Sequence, residues 1–278
     1  MTETTFRVAT AGGTIAGWES GDGPALLFLH GGPGMNDYGR LLSGEVAGWR
    51  FISFQQRGVA PSTTDGPFTV QQNVADALAV LDDRGVDQAV VLGHSWGAHL
   101  ALHLAVAHPD RVAGLVIVDG LGVIGDGGAP EVGAELAARL LPAAAEELQA
   151  LMAELGDREP TDEFASRQLA LVWPGYFASP ATAPPPPPGL RISIVTNSAT
   201  MESVKEHLAA GFADSLRSIS APVISVLGAQ SPMPVSQGEQ TAALIPDAEV
   251  RVIPAAGHLP WHEQPGCVAS ALADLVQC

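Results

Sequence analysis

The chain has 278 residues, enough for one large or two small domains and for a core hiding roughly three quarters of the unfolded surface. Lys and Arg number 13 against 30 Asp and Glu, a net charge of −17. Nucleic-acid binding calls for a basic stripe and anionic membranes for a polybasic patch; neither is present, so no nucleic-acid or membrane partner is expected. Charged residues at 15% and apolar residues at 46% predict an ordered, acidic, soluble globular protein.

At the start, Met1 to Val8 shows no charged stretch followed by an apolar one, and no run approaches the ~18 apolar residues of a spanning helix. The expected location is cytoplasmic. Apolar, β-branched runs at 6–9, 14–18, 25–29, 50–54, 89–92 and 115–118 predict strands, several so uniformly apolar that both faces should be covered. Between 70 and 84, Val70, Val74, Leu78 and Leu81 share one helical face. From about 122 to 218 strand-like runs nearly vanish; 131–155 is helical by propensity, and 192–196 is an ambiguous apolar run. The five prolines at 184–188 predict a stiff connector of ~15 Å inside a lid. Strands resume at 223–227 and 249–253. A last helix follows Pro265, with Val268, Leu272, Leu275 and Val276 on one face. Its Cys267 and Cys278 would lie ~16 Å apart along the axis, too far for a mutual disulfide, and read as incidental thiols. Strands alternating with helices predict a doubly wound α/β fold with a helical insertion.

Three motifs carry chemistry. Gly93-His94-Ser95-Trp96-Gly97 follows a strand and opens a helix, the setting of a G-x-S-x-G nucleophile elbow. His30-Gly31-Gly32-Pro33-Gly34 follows the strand at 25–29, where backbone N–H groups can face a developing oxyanion; no lysine follows to make it a phosphate loop. The amides of Gly32 and Trp96 are the expected donors. Gly257-His258 lies just past the last strand, where a general base reaches the same sheet edge. Of eight histidines only His258 has that place; His30 belongs to the glycine turn, His94 flanks the serine, and the other five read as helix or surface residues.

With His-Gly-Gly-Pro-Gly, Gln56-Arg57-Gly58 and Gly-x-Ser-Trp-Gly, and with histidine last in chain order, the sequence resembles the α/β-hydrolase fold family, in its proline iminopeptidase-like branch. The resemblance implies a mostly parallel eight-stranded sheet flanked by helices. Residues 1–122 and 218–278 would form the core, and 123–217 a helical cap inserted after strand 6. Gln55 stands where the branch usually has Asp, Ala60 where it has Gly, and its W-x-x-W-E segment is absent, all of which count against a peptidase. The resemblance also puts an acid after the strand at 223–227, where this chain has Ser231. Three readings stay open: Asp119, 24 residues after Ser95 at a neighbouring strand end where some relatives carry the acid; a serine-assisted dyad through Ser231; and Asp126 on the cap hinge. Glu239 lies too far along the following helix. In the cap, Trp173, Tyr176 and Phe177, with Leu169, Leu171 and Met201, are candidates to line an apolar pocket over Ser95, and Trp96 adds a wall beside it.

These readings predict a serine hydrolase for an uncharged, largely apolar small-molecule ester, thioester or lactone, acting through Ser95, His258 and Asp119 with no metal or organic cofactor. The alternatives are a proline iminopeptidase-like aminopeptidase and a non-catalytic binding protein on the same fold. Oligomeric state is not legible in the sequence.

Overall fold

The computed structural model describes residues 2–275. Its strands are β1 (Glu3–Thr10), β2 (Gly13–Ser20), β3 (Ala25–Leu29), β4 (Arg50–Gln55), β5 (Ala89–His94), β6 (Val112–Val118), β7 (Val223–Gly228) and β8 (Glu249–Ile253). They form one sheet in the order β1-β2-β4-β3-β5-β6-β7-β8. β1 pairs antiparallel with β2 and β2 with β4; every other pairing is parallel.

Side chains alternate across each strand, and here both sets are apolar. Leu27, Leu29, Val91, Leu115 and Ile117 face α1 (Val70–Asp83) and α2 (Trp96–Ala107). Leu26, Phe28, Leu92, Val116 and Val118 face the opposite layer, which includes the C-terminal helix at 267–275. α1 starts where Thr69 accepts a hydrogen bond from the Gln72 N–H, satisfying one of the donors a helix start leaves open. A buried ion pair, Arg57 to Asp76 at 2.5 Å, ties the turn after β4 to α1.

Between β6 and β7 the chain runs through α3 (Ala129–Ala138), α4 (Pro142–Leu155), α5 (Asp162–Val172), α6 (Ile194–Ala209) and α7 (Phe212–Ser215). The helical run at 131–155 is broken because Leu141, just before a proline, is extended; Pro142 then begins α4. The run at 192–196 divides. Ile192 bridges to Met35, while Ser193 caps α6 by accepting from the Thr196 N–H. The proline tract joins neither helix nor sheet, and Pro184 O accepts from the Trp173 indole N–H at 3.0 Å. The last part of the insert lies on the core: Val204, Phe212 and Leu216 pack into the layer of α1 and α2.

After β7 come α8 (Val235–Ala242), β8, α9 (Pro260–Glu263) and α10 (Cys267–Leu275). Burial pushes the Cys267 thiol up to about 11, as befits an inert residue. Val276 and Cys278 lie outside the described residues. No helix among those described is long and apolar enough to cross a membrane.

Candidate active site

Ser95 sits between β5 and α2 with φ 57° and ψ −122°, a backbone conformation costly for a residue with a side chain. The close strand-to-helix turn is possible because Gly93 has no Cβ, which would lie 2.4 Å from the Gly97 carbonyl oxygen; Gly97 in turn lets α2 approach β3, where a Cβ would lie 1.8 Å from the Leu29 carbonyl oxygen. Ser95 is half-buried, and its N–H donates to Val118 O at 2.9 Å.

Asp119 immediately follows β6, the next strand over, also at positive φ (47°). One carboxylate oxygen lies 2.6 Å from His258 Nδ1 and also accepts from the Ser231 hydroxyl; the other accepts from the Gly228 N–H at 3.1 Å. Asp119 is 1% and His258 5% exposed, so water barely screens the pair. A carboxylate at Nδ1 assigns the proton to that nitrogen and leaves Nε2 as an acceptor. The serine in the usual acid position therefore contacts Asp119, not His258, and its oxygen accepts from the Met233 N–H at 3.0 Å. Asp126 is occupied in the hinge turn, accepting from the Gly128 N–H, and Glu239 lies within α8.

His258 is held from both sides. Its N–H donates to Tyr176 O at 2.7 Å. Its carbonyl accepts from His94 Nε2 at 2.7 Å; His94 Nδ1 then accepts from the Tyr38 hydroxyl at 2.5 Å, and the Tyr38 oxygen accepts from the Gly31 N–H at 2.5 Å. Every donor in this chain has one acceptor, which requires neutral His94; burial first, then the neighbouring His258, pushes its pKa well below the ordinary value. Burial likewise raises Tyr38, keeping the phenol protonated. His30 is locked too: Nδ1 donates to Gly31 O at 3.0 Å and Nε2 accepts from the Gln56 N–H at 3.2 Å. The sequence singled out neither Tyr38 nor the linking role of His94. The polar stretch Met35-Asn36-Asp37-Tyr38 after the glycine turn was the available signal.

Ser95 and His258 share one cavity of about 70 Å³, walled by Gly32, Tyr38, Leu169, Trp173 and Tyr176 among others. Phe177 is not in this wall; it is 1% exposed and packs on Trp173 and His262. Nor does the Trp96 ring make a wall, because it turns into the core, stacks on His99 and donates its N–H to Gln56 at 2.8 Å. Leu171 and Met201 also lie outside it. Gln55, in place of the expected aspartate, is built into the loop, accepting from the Asp37 N–H and donating to Met35 O, each at 2.9 Å. A larger groove of about 530 Å³ along β1 and β2 contains none of Ser95, Asp119 or His258.

Residues 26–271 match the sequence profile of the alpha/beta hydrolase family, and the chain belongs to that family. Among curated relatives, Epoxide hydrolase B of Mycobacterium tuberculosis is 39% identical over 119 residues, 39% of this chain and 33% of that protein; the match thus spans about a third of the relative's length. Among solved structures, an N-acyl homoserine lactone degrading enzyme is 25% identical, with TM-score 0.62 and coverage of 96% of this chain and 99% of the other. A proline iminopeptidase-related protein from Thermus thermophilus, 24% identical, shares the fold at TM-score 0.69 over 100% of this chain and 98% of its own.

Proposed function

We propose that the protein is a serine hydrolase for an uncharged, largely apolar ester, thioester or lactone, working through an acyl-enzyme. The observation that carries this reading is the hydrogen bond from His258 Nδ1 to buried Asp119, with His258 itself lining the cavity beside Ser95. In this scheme Ser95 Oγ bonds to the substrate carbonyl carbon while its proton passes to His258 Nε2. The carbonyl electron pair moves onto oxygen, which the Gly32 and Trp96 amides receive. Two features support those donors. The Gly31 and Ser95 amides are already engaged, and Trp96 begins α2, where the first N–H groups have no partner within the helix. The carbonyl then re-forms as the bond to the leaving group breaks, the leaving oxygen, or sulfur in a thioester, takes the proton from His258, and water repeats the sequence on the acyl-enzyme. The insert acts as the cap that covers this step.

A serine nucleophile favours a carbonyl over an epoxide: opening an epoxide with Ser95 would leave an ether that water cannot release. The cavity wall also offers no free carboxylate for an amino-terminal ammonium, which favours esters over prolyl peptides. The test is a panel of short acyl esters, lactones and prolyl anilides. The expected result is Ser95-dependent turnover with kcat/KM for the best ester or lactone well above that for prolyl anilide. The reverse ranking, or turnover retained in Ser95→Ala, contradicts it.

A further inference from the structure

The cavity at Ser95, about 70 Å³, is several-fold smaller than the ~300–1,000 Å³ that encloses a typical ligand. A second space of about 520 Å³ lies in the insert, between α3, α4, α5 and the start of α6. Its wall is half-buried Leu136, Leu140, Leu148, Phe164 and Val172, and no ionisable side chain lines it. The two spaces have one lining residue in common, Leu169, which places them next to each other. Asn197 in its wall donates to Pro33 O at 2.9 Å, so that polar group is already committed.

We propose that this cleft takes an extended alkyl chain of the substrate, with the ester group at Ser95 and the chain passing Leu169. The proposal rests on the serine-hydrolase reading and adds which substrates are preferred. An unpaired charge in such a wall is unfavourable, whereas each buried methylene gains about fourfold in affinity.

The experiment measures kcat/KM along two homologous ester series, one lengthening the acyl chain from acetate to octanoate, the other the alcohol chain of alkyl acetates. In one series kcat/KM should climb about fourfold per methylene until the chain fills the cleft. Leu140→Trp, which fills the cleft, and Leu148→Asp, which charges it, should each cut the ratio of long-chain to short-chain kcat/KM at least tenfold. Variants are compared only where circular dichroism shows native structure. Flat series in the native enzyme, or an unchanged ratio in both variants, overturns the chain site; Ser95-dependent acetate turnover then still upholds the hydrolase. If no ester is turned over, the hydrolase reading fails separately. The cleft is then probed with a fluorescent dodecyl derivative on Ser95→Ala protein. Binding weakened at least tenfold by Leu148→Asp supports the chain site, and equal binding overturns it.

Discussion

Asp119 is the residue on which the proposed chemistry turns. In the proposed mechanism, Ser95 attack makes His258 a cation in a site that water barely reaches, and a carboxylate 2.6 Å away stabilises that charge as a hydroxyl cannot. It also fixes the tautomer that leaves Nε2 open. Asp119→Asn should lower kcat by up to ~10⁴ with the fold intact. Ser231 acts through Asp119, as one of three donors to the carboxylate. Hydrogen bonds to charged groups are worth about 1.5–3 kcal/mol, so Ser231→Ala should cost roughly ten- to a hundredfold at most. Steady-state kinetics on the preferred ester check both. Near-normal activity in Asp119→Asn with loss in Ser231→Ala would reverse the assignment. That Ser231 was a candidate at all shows where sequence runs out. Its place in the chain is legible, but which group its hydroxyl touches depends on how β6 and β7 sit side by side, with Asp119 and Ser231 112 residues apart.

At the scale of elements, α2 carries a second feature beside the serine at its start. His99 and His103 are one helical turn apart and lie 4.9 Å from each other between ring centroids. His207 of α6 meets His103 at 4.8 Å, and Phe212 of α7 stacks on it. Burial, then the neighbouring His207, pushes His99 down to about 4; burial, then His99, pushes His103 to about 2. Both must be neutral in the folded protein, while an unfolded histidine titrates near 6.5. The unfolded state therefore binds more protons below that value, and stability should be full above pH ~6.5 and fall as pH drops toward 4. His99 alone contributes about 2 kcal/mol of loss between pH 7.5 and 5. Urea unfolding at those two pH values measures it. His99→Phe should show a smaller pH dependence than the native chain; an equal dependence in both would refute the assignment. The sequence reads these histidines as ordinary helix or surface residues. The four-residue spacing of His99 and His103 is visible, but the arrival of His207 is a matter of tertiary packing.

Across the whole molecule, what was legible follows local periodicity, and what was not depends on distant segments. β3 and β8 span the very runs that predict them: β3 as a buried apolar run bounded by turns, β8 as an alternating, partly exposed strand at the sheet edge. β1 and β2 run further than their apolar runs, because the backbone ladder between them continues through polar end residues that apolar pattern does not mark. The place of Ile192 beside Met35, and the turning of Trp96 and Phe177 away from the cavity, leave no mark on local pattern. The candidate site is legible for the opposite reason: a strained serine turn, a glycine turn and a histidine past the last strand each need particular residue types in a short stretch. Their convergence is tested most directly with a fluorophosphonate, which phosphonylates an activated serine and expels fluoride. Intact mass should show one adduct, mapping to the peptide that contains Ser95, lost in Ser95→Ala and formed far more slowly in Asp119→Asn. An unlabelled native protein, or labelling that persists in Ser95→Ala, would contradict a serine hydrolase built on Ser95, His258 and Asp119.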